Sequence, residues 1–517
     1  MKLSDFARKE GKLADLETSL MELPEPYGKI SDRISHLKEA EGYASDLDGI
    51  VAVDLKWRPK GEEEEKELVS RFLKGLEKLL DREANWTFLY PLKLSLDYCT
   101  RCKSCSNACH VYLGSGKKEI YRPTFRAEVL RRLVNRMKGN LRAKFSGNIE
   151  VNARLILRLA ELAYRCNLCR RCTQFCPLGI DNALITREIR KLFSQELGVA
   201  PGAIYESTEK QFRLGSSAGI KPEAFRNIVK FVEEELYERT GKRIRIPVDE
   251  KGSEILLIHN SGDFLSRIEN VMAFAVIFEE AGVDYTLSSE AFGYDAVNYG
   301  AWFDDVQLSR IALRHAEAAI RLEVGKIVVG ECGHAHKAMI ALADRILPED
   351  CRIPRESCIP LLEELVRKRL NIDSSRNDFA VTLHDPCNIV RNLGIVEPQR
   401  RILRRICGQF REMEPSGVYN YCCGGGGGMV VMNSLNFPEF RNKVSARMKF
   451  SQILKAFRDS LGPNSRNIVV APCSNCRSTL RDLFEHYKAK EICGIGYCGL
   501  AELVANSMVE FVSFLEF

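Results

Sequence analysis

Five cysteines, Cys387, Cys422, Cys423, Cys473 and Cys476, lie within ninety residues, two of them adjacent and followed at once by the glycine run Gly424–Gly428. Adjacent thiolates serve one tetrahedral zinc poorly, but they can grip neighbouring irons of an extended cluster, and five thiolates exceed the four that a cubane needs. The pattern predicts an unusual iron–sulfur centre. Residues without a Cβ let the backbone approach inorganic sulfide and turn N–H groups towards it, which gives Gly424, Gly425 and Gly426 a cofactor-binding role. The competing reading is a glycine loop beside core cysteines.

Eight more cysteines form two copies of one spacing: Cys99, Cys102, Cys105 and Cys109, then Cys166, Cys169, Cys172 and Cys176 with Pro177 behind it. This is the spacing that holds 4Fe-4S cubanes in two-cluster ferredoxins, where the fourth cysteine of each motif ligates the other cluster. It pairs Cys176 with Cys99, Cys102 and Cys105, and Cys109 with Cys166, Cys169 and Cys172. Two zinc sites of four thiolates each are the alternative, against which the repeated final gap and Pro177 speak. The first motif has His110 where proline is usual, which reads as a polar neighbour rather than a ligand.

The elements that position these residues follow from apolar periodicity. Residues 122 to 162 carry Leu130, Leu133, Val134 and Met137, then Leu155, Ile156, Leu159 and Leu162, and are expected to be helix. Leu68, Phe72, Leu76 and Leu80 draw a further helical stripe, read as core, in an N-terminal region (1–95) expected to be helical. The all-α two-cluster domain is placed at 96–200 and a connecting segment at 201–250, with 215–221 an ordered loop. Residues 251–517 form an α/β domain made of two pseudo-repeats, 254–347 and 379–484. Its landmarks are His259 and Gly262 against His384 and Cys387, Ser288-Ser289 against Cys422-Cys423, and Cys332 against Cys473. One cysteine of the set survives in the first copy, so one extended cluster is expected, not two.

The composition fits a multidomain globular chain: 517 residues, 45% apolar and 28% charged. No apolar run is long enough to span a membrane, and no leader segment opens the chain, which places it in the cytoplasm. Nineteen cysteines in a reducing compartment point to metal rather than disulfides. A net charge of +6, with bases mixed among acids, implies no nucleic-acid partner.

These residues carry a family resemblance. The spacer between the two ferredoxin motifs resembles the helical iron–sulfur domains of succinate dehydrogenases and heterodisulfide reductase. The five-cysteine pattern is similar to the cysteine-rich "CCG" domain of heterodisulfide reductase, and its fusion behind a two-cluster domain resembles the catalytic HdrD polypeptide of that enzyme. The match runs over about residues 96 to 490. The segments 330–335, 384–394 and 420–428 look most like the DsrK family, the cytoplasmic iron–sulfur subunits of the membrane complex paired with dissimilatory sulfite reductase. The resemblance implies two cubanes, a noncubane 4Fe-4S centre on the five cysteines, and cleavage of a sulfur–sulfur bond. It further implies peripheral membrane association through a DsrM-like cytochrome b that oxidises menaquinol, and the trisulfide of the small carrier protein DsrC as substrate. The forty-nine residues between Cys423 and Cys473 exceed the family's spacing.

Within that reading Cys332, His334 and His336 lie where the lost cluster would have been, and an imidazole there is a candidate proton donor to a leaving thiolate. Two other functions share this architecture: a pure electron-transfer subunit without substrate chemistry, and the iron–sulfur subunit of a hydroxy-acid oxidase. Gly262, Ser288 and Ser289 argue against the oxidase, whose members carry two intact cysteine-rich halves.

Overall fold

A computed structural model describes residues 3–8, 13–16, 20–28, 37–38, 45–139 and 149–509. The chain forms two compact units. One comprises Met1–Tyr205, Trp302–Asp305 and Tyr421–Ser451; the other comprises Glu206–Ala301, Val306–Asn420 and Gln452–Phe517.

The first unit is helical. Helix Glu62–Leu80 starts with four glutamates, which favour the positive end of the helix dipole, and buries Leu68, Phe72 and Leu76. Phe72 meets Phe193 of helix Asn182–Leu197 at 5.9 Å between ring centroids, so the stripe is core. The expected helix across 122–162 is two helices, Pro123–Lys138 and Ala153–Tyr164. Gly139 ends the first in the left-handed conformation and Asn152 caps the second through Leu155 N–H; residues 140–148 of the expected helix lie outside the described residues. The N-terminal region is not helical throughout. Residues 45–61 run as turns and extended chain, tied down by buried charge. Arg165 pairs with Asp48 and donates to the Val51 carbonyl and the Tyr121 hydroxyl, both at 2.8 Å.

The second unit holds two parallel four-stranded sheets. Strands β1 (Ile255–Ile258), β2 (Tyr285–Thr286), β3 (Lys326–Val329) and β4 (Arg355–Ser357) pair in the order β2-β1-β3-β4. Strands β5 (Ala380–Leu383), β6 (Gln409–Arg411), β7 (Asn467–Val470) and β8 (Ile495–Cys498) pair as β6-β5-β7-β8. The two sheets have one topology, and both inner pairs keep the same register: Ile255 faces Lys326 as Ala380 faces Asn467. Each repeat extends one strand beyond its expected end, to β4 and β8. The segment 201–250 is not a plain connector either, since it contains helices Gly202–Leu214 and Pro222–Thr240. Between them Asp295 accepts from the Ser217 N–H at 2.6 Å, which orders the 215–221 loop.

Candidate functional site

Both ferredoxin motifs fold with the same local backbone. Arg101 and Lys103 in the first, and Leu168 and Arg170 in the second, take positive φ of 50–66°, at equal offsets from the leading cysteine. Left-handed residues between right-handed ones turn successive N–H groups towards one concavity, the geometry that receives an anionic cluster. Cys99, Cys102, Cys105 and Cys176 line one cavity, with Thr124, Leu178 and Ile180. Burial pushes the Cys105 thiol up to about 11, and the nearby Cys99, Cys176 and Cys102 add to the shift. Cys109 instead faces the second motif. Burial raises it to about 12, against Arg126 and with Cys166 and Cys169 adding. Cys172 is raised well above its usual range, by burial first and then by Cys169, Cys109 and Cys166. Thiols crowded in this way are costly to ionise without a cation, and the donor set fits two clusters of four sulfurs each.

The glycine run behaves differently from its sequence reading. Gly424 and Gly425 do turn their N–H groups to sulfur, to Cys422 at 3.5 Å and Cys423 at 3.4 Å. Gly426 and Gly427 lie instead against the second ferredoxin loop. A Cβ on Gly426 would stand 2.6 Å from the Asn167 carbonyl oxygen, and one on Gly427 would stand 2.9 Å from that of Cys166. Glycine at 426 therefore leaves room for the Asn167 backbone to approach. Arg190, fully buried, fastens the same two loops by donating to the Cys166 carbonyl at 2.7 Å and the Gly427 carbonyl at 2.6 Å. Arg171 lies over the Tyr421 ring at 4.0 Å and donates to the Ala108 carbonyl. A ring nitrogen of His110 and the sulfurs of Cys169 and Cys422 lie within 4.8 Å of one another. Neither Asn167 nor Arg190 stands out in the sequence; the only signal for Asn167 is its place between Cys166 and Cys169.

In the second unit, Cys387 opens helix Cys387–Asn392, Cys473 caps helix Ser474–Tyr487, and Cys476 sits in that helix's first turn. All three are buried at a helix start. Behind Cys476, the buried Arg477 pairs with Glu331 and with Asp263 at 3.1 Å. Asp385 receives Arg400 through two bonds of 2.8 Å and accepts the Gly417 N–H at 2.7 Å, which ties the segment after β6 back to the end of β5.

Cys332 and its two histidines have a different setting from the one expected. Cys332 Sγ accepts from Asn260 Nδ2 at 3.4 Å and from Ala335 N–H at 3.5 Å; burial and then Cys473 push it up to about 12. His336 Nδ1 donates to the Cys332 carbonyl at 2.8 Å while Nε2 accepts from the Ser357 hydroxyl at 2.7 Å. His334 Nε2 donates to the Asn298 carbonyl at 2.7 Å. Burial lowers His334 to about 3 and His336 to about 4. Burial favours the neutral form of both rings, and their hydrogen bonds hold the chain in place around Cys332.

Residues 95–180 match a 4Fe-4S dicluster domain and residues 381–481 match a cysteine-rich domain, CCG. The chain is 26% identical over 480 residues to an Hdr-like menaquinol oxidoreductase iron–sulfur subunit 2 of Archaeoglobus fulgidus, covering 85% of this chain and 83% of the relative. It is 25% identical to the corresponding iron–sulfur subunit of Archaeoglobus profundus, covering 81% and 80%. With HdrD, the D polypeptide of the dihydromethanophenazine:CoB–CoM heterodisulfide reductase of Methanosarcina acetivorans, it shares 24% identity, covering 77% and 91%. The chain thus shares with these relatives a 4Fe-4S dicluster domain followed by a CCG domain, the parts of an iron–sulfur redox protein. No solved structure matches it. The cysteine-rich match spans β5 to the helix after β7, the sheet that keeps the five cysteines, and leaves the first sheet unmatched. Among the described residues no helix is long and apolar enough to cross a membrane.

Proposed function

We propose that this redox subunit carries electrons through two cubanes to a noncubane centre that reduces a sulfur–sulfur bond, within a membrane-associated respiratory complex. Cys99, Cys102, Cys105 and Cys176 would hold the first cubane, Cys109, Cys166, Cys169 and Cys172 the second, and Cys387, Cys422, Cys423, Cys473 and Cys476 the noncubane 4Fe-4S centre. When bound, the cubanes supply one-electron carriers and the third centre supplies iron at which sulfur can bind. The overall change is balanced: one disulfide, two electrons and two protons give two thiols, and a trisulfide takes four electrons and four protons to give two thiols and hydrogen sulfide.

The observation that carries this reading is the approach of Cys169 to Cys422, which brings a ligand of the second cubane beside the cysteine pair of the third centre. The first cubane has the opposite character. Cys102 is exposed, and around that cavity Tyr98, Phe175 and Leu178 stand open to solvent, with Tyr90 and Leu94 exposed along helix Leu89–Asp97 and Trp86 exposed in the turn before it. Such an aromatic face suits a redox partner, which we take to be a DsrM-like membrane cytochrome b fed by menaquinol. The relatives whose names contain "menaquinol oxidoreductase" and "heterodisulfide reductase" support both ends of the path. The trisulfide of a DsrC-like carrier protein is the substrate we favour.

The test is to purify the native complex, oxidise it, and add a trisulfide-bearing carrier protein or a small organic disulfide or its thiol. Turnover and a change in the electron paramagnetic resonance of the oxidised third centre are expected. An oxidised signal indifferent to all these sulfur compounds would leave electron transfer alone as the function.

A further inference from the structure

His110 stands where the first motif leads out of Cys109, and none of the ligand sets requires it. It is nonetheless buried, with only 2% of its surface exposed. Its Nε2 lies 2.7 Å from Asn167 Oδ1. The orientation of Asn167 is fixed by its other end, since Nδ2 donates to the Gly424 carbonyl at 2.6 Å and also reaches the Gly426 carbonyl at 3.3 Å. Asn167 Oδ1 is therefore the acceptor, and it receives both the His110 Nε2–H and, at 2.8 Å, the Ser445 hydroxyl. The second ring nitrogen, Nδ1, faces Cys169 Sγ at 3.9 Å. One side chain thus touches the Cys166–Cys172 loop twice, and Asn167 hands that contact on to the loop of Cys422 and Cys423.

We propose that His110 and Asn167 are positioning residues that hold the Cys169 and Cys422 sulfurs in register, making the second cubane the one that exchanges electrons with the Cys422-Cys423 side. This rests on the ligand reading above and deepens it. Three observations support it independently. The two sulfurs and the imidazole lie within 4.8 Å of one another. The glycines leave room for the two backbones to touch, and Arg190 bridges them on the Cys166–Gly427 side. Electron transfer weakens steeply with separation, so a link that fixes the distance between two ligand sulfurs sets the rate between their clusters. Groups bonded around ligand sulfurs also tune cluster potential.

The test uses the full chain with its clusters, as wild type and as His110→Leu, His110→Gln, Asn167→Ala and Asn167→Asp. Iron per chain, the midpoint potential of each cubane, and the spin–spin broadening between the second cubane and the third centre are measured. Expected is a wild-type iron content, a shifted potential for the second cubane alone, weakened broadening, and roughly 10- to 100-fold slower reduction of the third centre in His110→Leu and Asn167→Ala. His110→Gln, which can still reach Asn167, should recover part of each; Asn167→Asp, which cannot donate to Gly424, should not. Should His110→Leu lose iron, His110→Gln is read in its place, and wild-type values there overturn the proposal. Unmoved potentials and broadening at full iron content overturn it, as does an equal shift in both cubanes. A wild-type protein without a second cubane signal would instead overturn the ligand reading, and this inference with it.

Discussion

The Gly333 N–H donates to Cys473 Sγ at 3.3 Å. Gly333 follows Cys332, and Cys332 stands to β3 as Cys473 stands to β7, three residues past the strand end. The half of the fold that lacks the cysteine set therefore supplies a hydrogen bond to a cysteine of the half that carries it. A Cβ at position 333 would sit 3.2 Å from that sulfur, so glycine is what allows the approach. We expect Gly333→Ala to alter the signal of the third centre while both cubane signals stay as they are. Cys332→Ala, which removes a thiol that Asn260 and Ala335 already satisfy, should keep the full iron content. Loss of iron from Cys332→Ala would make it a sixth ligand.

Crossed ligation of the cubanes gives a sharp expectation. Cys176→Ser should remove the same spectral component as Cys99→Ser, and Cys109→Ser the same as Cys166→Ser, each with loss of up to about four irons. Iron analysis with electron paramagnetic resonance checks it, and matched pairs within one motif would refute it.

Gly426 tests the docking of the two loops. Gly426→Ala forces a methyl group towards the Asn167 carbonyl at 2.6 Å, an overpacking we expect to cost about 1–3 kcal/mol. Gly139→Ala, at a helix end with nothing within 4 Å, should cost less, about 1 kcal/mol from its positive φ alone. Thermal unfolding of the two variants measures the difference.

The buried histidines predict acid lability. His336 is lowered from 6.5 to about 4 by burial, so below pH 6.5 the unfolded chain takes up a proton that the folded chain refuses. Stability is complete above pH 6.5 and falls as pH drops towards 4, by at most about 3 kcal/mol for this ring. His336→Asn should be less stable at pH 7 yet show a flatter stability profile between pH 6.5 and 4, the remaining slope coming from His259, also lowered to about 4, and His334. A slope equal to that of the wild type would show that the ring is protonated in the fold.

The sequence made some of this legible and hid the rest for physical reasons. β1, β3, β5 and β7 are buried mid-sheet strands and read as apolar runs, so the repeat can be seen through them. β4 is Arg-Glu-Ser and β8 is Ile-Gly-Tyr-Cys; as edge strands they need no apolar run, and the repeat bounds fall short of both. Cysteine spacing marks the two ferredoxin loops because a cluster dictates it. Asn167, Arg190 and Arg477 carry no such mark, because what they do depends on partners between 146 and 262 residues away in sequence. The histidines beside Cys332 stand out by type, whereas their burial and their partners at Ser357 and Asn298 carry no mark in the sequence.

Residues Tyr421–Ser451 interrupt the second sheet between β6 and β7 yet belong to the first unit. The CCG domain, continuous in sequence, is therefore not a portable module. A chain cut at residue 250 would separate Tyr421–Ser451 from the Cys166–Cys172 loop to which Gly426 and Arg190 fasten it, and would leave Cys422 and Cys423 on a segment stripped of its neighbours. Any gene that encodes the two parts as separate polypeptides must rebuild that lock as an interface between subunits.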